Sequence, residues 1–126
     1  MKNSLVIILG LVAIIVIVLI ALSSMGSSTR ISASAFIEKY AGIPGAVLVD
    51  VRTPGEFSSG HIDGAININL EDSSFVSEIQ KLDTSKTYFV YCRSGNRSQQ
   101  AVSVMKSNGI ENIYELKGGI ISNANS

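Results

Sequence analysis

The sequence predicts an α/β domain, with a mainly parallel central sheet and helices on both faces, preceded by one N-terminal apolar helix. Three observations carry that prediction. Leu5 to Leu22 is a run of eighteen residues without a charged or polar side chain. Beyond it, short segments rich in Val, Ile, Tyr and Phe alternate with helix-compatible segments, the pattern of parallel strands joined by helical crossovers. The only cysteine, Cys92, stands where one apolar segment meets a polar, glycine-containing loop.

The apolar run comes first. As a helix it would rise roughly 27 Å, enough to cross the hydrocarbon core of a bilayer. It is apolar all round, so a small domain has nothing to cover it as a core helix. Residues 1–23 are therefore a transmembrane anchor or a signal sequence. Ala21-Leu22-Ser23 resembles a cleavage site, but the run is longer than a signal's apolar region and only Lys2 precedes it, which favours an uncleaved anchor through residues 5–22. Arg30 and Lys39 nearly balance Lys2 and the terminal amine across it, so orientation is weakly specified. The export-like start points to a domain outside the cytoplasm, periplasmic or at the cell surface in a bacterium, or secreted if the segment is cleaved.

Residues 24–29 are small and polar and read as a flexible tether. Residues 30–126 form one domain of just under a hundred residues, with nine Lys and Arg against ten Asp and Glu. That near balance excludes the concentrated basic patch of a nucleic-acid surface. Along the domain the pattern predicts a helix over Ser34–Ala41, a strand over Ala46–Val51 and a short helix over Pro54–Ser59, with proline at a favoured first helical position. A strand over Ala65–Ile68, a helix over Ser73–Leu82 and a strand over Thr87–Tyr91 follow. A helix over Arg97–Ser107 and a strand over Asn112–Leu116 complete the series.

Ligands of such sheets bind beyond the carboxyl ends of the strands. Two polar strand ends meet that condition: Asp50-Val-Arg-Thr-Pro-Gly-Glu56 and Cys92-Arg-Ser-Gly-Asn-Arg-Ser98. In the second, a helix start and two arginines, Arg93 and Arg97, converge on one thiol. Both features favour the thiolate, the reactive form of cysteine. A buried, inert cysteine is the ordinary alternative, and the anion-binding neighbours Arg93, Ser94, Gly95, Asn96 and Arg97 argue against it.

Leu48-Val-Asp-Val-Arg52, Glu56-Phe57, Gly60-His-Ile-Asp-Gly-Ala-Ile66, Val90-Tyr-Cys-Arg-Ser-Gly-Asn-Arg-Ser98 and Leu116-Lys-Gly-Gly-Ile120 together resemble the rhodanese domain. The resemblance covers nearly all of the chain after the tether. It implies a sulfurtransferase that takes sulfane sulfur from thiosulfate or a related donor onto Cys92 as a persulfide and passes it to a thiol, cyanide or a protein acceptor. In that scheme the loop from Arg93 to Arg97 turns its N–H groups on the sulfur, Gly95 supplies the positive φ where the loop curls, and Ser98 caps the helix or donates toward the sulfur. Arg93 is placed to hold a sulfonate. Arg97 is divided between substrate or loop-shaping work and a salt bridge. Asp50, Arg52, Glu56 and His61 form a polar framework, with Arg52 expected to pair with Glu56 and His61 to hydrogen-bond rather than act as a base.

No cofactor or metal is expected, since His61 is the only histidine. Four residues separate Cys92 from Arg97. Phosphatases built on a cysteine–arginine cradle carry one more, so the shorter loop favours a sulfur atom over a phosphate. The chain lacks tryptophan and stops six residues after Ile120, where the family continues with an aromatic residue and a closing helix. One flank of the pocket is therefore expected to be open, which favours a protein-bound acceptor. Two other functions compete: a non-catalytic docking or sulfur-sensing module on the same fold, and a thiol redox protein that exchanges disulfides with a partner.

Overall fold

A computed structural model of the chain describes residues 1–23 and 28–122. Helix α1 (Lys2–Ser23) carries exposed side chains from Lys2 to Ala21. It is the one helix among the described residues long and apolar enough to cross a membrane, over Lys2–Ala21. Most of the tether falls in residues 24–27, outside the described residues. Its last two residues do not belong to a tether: Ser28 and Thr29 open strand β1 (Ser28–Ile31). They pair in parallel with Ile113 and Tyr114, so the backbone groups of a polar segment are satisfied by a strand remote in sequence.

The remaining elements follow the predicted order through the last strand, and a short helix is added after it. They are α2 (Ala33–Gly42), β2 (Val47–Asp50), α3 (Pro54–Ser59), β3 (Ile66–Asn67), α4 (Phe75–Gln80), β4 (Tyr88–Tyr91), α5 (Asn96–Ser107), β5 (Ile113–Leu116) and a short α6 (Gly119–Ser122). The five strands form one parallel sheet in the order β1-β5-β4-β2-β3. Alternation along β4 divides the core between its faces. Tyr88, Val90 and Cys92 pack with Phe75, Ile79, Ala101, Val102 and Met105 of α4 and α5. Phe89 and Tyr91 pack with Phe36 of α2, Leu48 and Leu116. A strand buried on both faces reads as a continuous apolar run, which is how Thr87–Tyr91 stands in the sequence.

From β2 the chain passes outward to β3, then returns across β2 to β4 on the other side. The direction of winding therefore reverses between β2 and β4, and a crevice opens beyond their carboxyl ends. Asp50 and Cys92 lie at those two ends.

Candidate active site

The segment after β4 folds as a tight cradle. Gly95 is the N-cap of α5, at φ 102°, a conformation that costs other residues roughly 1–2 kcal/mol. The turn brings the Gly95 N–H to 3.0 Å from Cys92 Sγ. Ser98, in the first turn of α5, sets its hydroxyl 3.4 Å from the same sulfur. Burial pushes the thiol's pKa up. The Ser98 hydroxyl and the N–H groups of Ser98, Gly95 and Ser94 outweigh it, and the net displacement is downward. Cys92 is fully buried, whereas its neighbours Arg93, Ser94 and Asn96 are exposed.

The Leu116–Ile120 segment backs this cradle. Ile120 and Ile121 donate their N–H groups to the carbonyls of Cys92 and Arg93, both at 3.0 Å. Gly119, at φ 65°, lies so close that a Cβ there would fall 2.3 Å from the Arg93 carbonyl oxygen. Glycine is thus required at this position by contact as well as by conformation.

The strand end of β2 supplies the opposite wall. Asp50, fully buried, accepts from Arg52 Nε at 3.0 Å and Nη2 at 2.7 Å, and Arg52 Nη2 also donates to the Gly60 carbonyl at 2.7 Å. The expected Arg52–Glu56 pair is not formed. Glu56 closes a capping box with Thr53 at the start of α3, and its carboxylate accepts from both terminal nitrogens of Arg97, at 2.6 and 2.9 Å. That contact, helped by Thr53, holds Glu56 down to about 2 against the opposing effect of burial. Of the two readings left open for Arg97, the geometry is that of the salt bridge, which ties α3 to the start of α5.

His61 lies outside this cluster. It is exposed, stacks on Phe57 with ring centres 3.7 Å apart and donates from Nδ1 to the Phe57 carbonyl at 2.8 Å. Between the walls lies a cleft of about 710 Å³, lined by Arg52, Gly55, Glu56, Arg93, Ile120 and Ile121 among others. Arg52 on that lining is held by Asp50, whereas Arg93 pairs with no carboxylate among the described residues. No group of His, Cys, Asp and Glu among the described residues is arranged to hold a metal ion.

Two contributors had no signal in the local sequence. Arg30 of β1 donates to Glu115 of β5 at 2.7 Å and to the Gly95 carbonyl at 2.9 Å. Glu115 in turn accepts from the Ser98 hydroxyl at 2.9 Å. Both residues come to the loop from strands distant in sequence.

The cysteine cradle, the doubled glycine behind it and the polar end of β2 belong together in one known family, whose model, the rhodanese-like domain, matches residues 32–122. The chain belongs to the rhodanese-like domain family. It is 43% identical over 82 residues to YqhL of Bacillus subtilis, a match covering 65% of this chain and 64%, just under two thirds, of that protein. It is 37% identical over 75 residues to the thiosulfate sulfurtransferase GlpE of Pseudomonas entomophila, covering 60% and 67%. The crystal structure of a rhodanese-related protein from Thermoplasma volcanium matches with a TM-score of 0.66 at 32% identity, over 77% of this chain and 91% of that one. The rhodanese fold, with its parallel sheet and an added N-terminal apolar helix, is thus established.

Proposed function

We propose that this rhodanese-like protein is a membrane-tethered sulfurtransferase working through a Cys92 persulfide. The observation that carries the reading is the convergence of three backbone N–H groups and one hydroxyl on a single buried thiol. Donors fixed in a dry site stabilise a thiolate without reorganising during the reaction. They also suit the terminal sulfur of a persulfide, which carries negative charge at the same place.

The chemistry needs no base. The Cys92 thiolate attacks the outer sulfur of thiosulfate, a new S–S bond forms, and the old one breaks as sulfite leaves with its electron pair. A thiolate or cyanide then takes the terminal sulfur, and the Cys92 thiolate returns. Arg93, on the cleft wall, neutralises the sulfonate of the arriving donor. Arg97, held by Glu56, braces the cradle. Asp50 and Arg52 fix the β2 end, and His61 stacks outside. Because Cys92 is fully buried, the site must open for the donor to reach the sulfur. An open cleft of this size also admits the thiol of a protein acceptor.

Helix α1 would anchor the domain in a membrane, with the domain on the extracytoplasmic side. Extraction of membranes at alkaline pH tests the anchor: the chain should stay with the lipid.

Intact-mass measurement of the full chain in detergent, after thiosulfate and then after cyanide, tests the chemistry. One sulfur atom gained and then lost, as thiocyanate appears, supports the transferase. A mass that never changes with thiosulfate or polysulfide overturns it and leaves a docking or sulfur-sensing module.

A further inference from the structure

Cys92 is braced from a direction that its own loop does not reveal. One guanidinium nitrogen of Arg30 directs donors to two acceptors, the Gly95 carbonyl at 2.9 Å and Glu115 Oε1 at 2.7 Å. Glu115 is buried, at 4% exposure, and accepts from the Ser98 hydroxyl. That hydroxyl has one proton and three neighbours that can accept it: Glu115 at 2.9 Å, the Gly95 carbonyl at 3.2 Å and the Cys92 sulfur at 3.4 Å.

The protonation state of the sulfur decides how these donors are shared. While Cys92 is a thiol, its S–H donates to Ser98 Oγ and the Ser98 proton is free to serve Glu115. Once the thiol ionises, the sulfur becomes an acceptor, and the Ser98 proton must turn to it. Glu115 then loses a donor. A buried carboxylate left short of donors is costly, so the exchange is permitted only while Arg30 still holds Glu115. The same guanidinium offsets the negative charge of Glu115 beside a thiolate.

The other charged groups leave this role to Arg30. Arg30 of β1 and Arg97 of α5 both gain from a charge on Cys92. Arg97 is bound bidentate by Glu56 of α3, and Arg52 beyond β2 is bound by Asp50. Arg93 follows Cys92 in the loop and is exposed on the cleft wall. Glu115 of β5 is the carboxylate bonded to the sulfur's own partner, Ser98.

We infer that Arg30 and Glu115 are positioning residues for Cys92: their ion pair, between β1 and β5, sets how far Ser98 and the Gly95 turn serve the sulfur. The inference rests on Cys92 being the working nucleophile proposed above, but not on which sulfur compound it takes. Arg30 precedes residues 32–122, the stretch that matches the family, so the family match does not carry this brace.

Iodoacetamide alkylation of the full chain in detergent, followed against pH, tests it. Cys92 is the only cysteine, so the pH midpoint of the rate reports its ionisation. Arg30→Met should raise the midpoint by about one pH unit, about tenfold less thiolate at any pH below it. Glu115→Gln keeps the cation and removes the carboxylate, and its midpoint should fall. The double variant should lie nearer the wild type than Arg30→Met does, and Arg30→Lys should rescue most of the shift.

A purely structural brace would lower the melting temperature and leave the midpoints unmoved, which would overturn the inference. A rise in Glu115→Gln would overturn it too, and that variant carries the test if Arg30→Met fails to fold. Alkylation needs no sulfur donor. If the wild type takes no sulfur while these midpoints move, the transferase reading fails and the inference stands.

Discussion

Replacing Gly119 by alanine should disable the site without removing any group that carries chemistry. The new Cβ would lie 2.3 Å from the Arg93 carbonyl oxygen, 2.4 Å from its carbon and 2.6 Å from Ser94 N. Ordinary contact between such atoms begins near about 3.4 Å, so the loop must retreat by about 1 Å. A retreat of that size carries the Gly95 N–H from 3.0 Å to about 4 Å from the sulfur, where little of the bond remains. Misplacement on this scale costs about a hundredfold in rate, and the left-handed φ of 65° adds about 1–2 kcal/mol of instability.

Turnover from thiosulfate to cyanide, read beside the melting temperature, checks this. Gly45→Ala is the control. Gly45 has φ 75° and nothing within 4 Å of its would-be Cβ, so it bears the conformational cost alone. Its melting temperature should fall by several degrees with turnover unchanged. The reasoning is refuted if Gly119→Ala keeps turnover within about threefold of Gly45→Ala.

Three further outcomes are expected. Cys92→Ser should lose all sulfur loading and stay folded, since the site is small and already accepts a hydroxyl partner; intact mass and circular dichroism read the two effects. Asp50→Asn strips the buried Arg52 of its counter-charge and should cost about 3–5 kcal/mol in denaturant unfolding, a far larger loss than a surface carboxylate would give. Glu56 has a folded pKa near 2, below its ordinary 4.5. Its contribution is therefore full above about pH 4.5 and is lost as pH falls toward 2. Glu56→Gln should flatten that acid limb of the stability curve by about 1–3 kcal/mol, the lower figure applying because the carboxylate is 29% exposed.

Local pattern carried most of the fold. Thr87–Tyr91 announced a buried strand because every residue of β4 faces core, and Pro54 fixed the start of α3 to the residue. Ser28–Ile31 was read in part as tether because a polar edge segment has no periodicity of its own. Only its partner, β5, some eighty residues on, makes it a strand. The short α6 has no signal of its own either; two of its four residues, Ile120 and Ile121, donate their N–H groups to the loop carbonyls.

The site divides in the same way. Cys92, Gly95 and Ser98 act on one another within seven residues, so their spacing was legible. The pairings Arg97–Glu56 and Arg30–Glu115 span 41 and 85 residues, and sequence proximity misdirected the first by offering Arg52 to Glu56. Asp50 takes Arg52 because a turn at the strand end folds the guanidinium back along its own chain.

The direction of the strands bears on what the proposed enzyme can meet. Every strand in the sheet is parallel to β1, and β1 begins five residues after α1 ends. Five residues reach at most about 18 Å, so if α1 lies in a membrane, the amino edge of the sheet stays close to it. The cleft lies at the other edge, beyond the carboxyl ends of β2 and β4, roughly 13 Å further along strands of four residues. Anchoring then holds the catalytic edge away from the lipid, toward donors and acceptors in water. Sulfur loading in proteoliposomes with the domain outward should match that in detergent, and loading that collapses on reconstitution would mean that the cleft faces the bilayer instead.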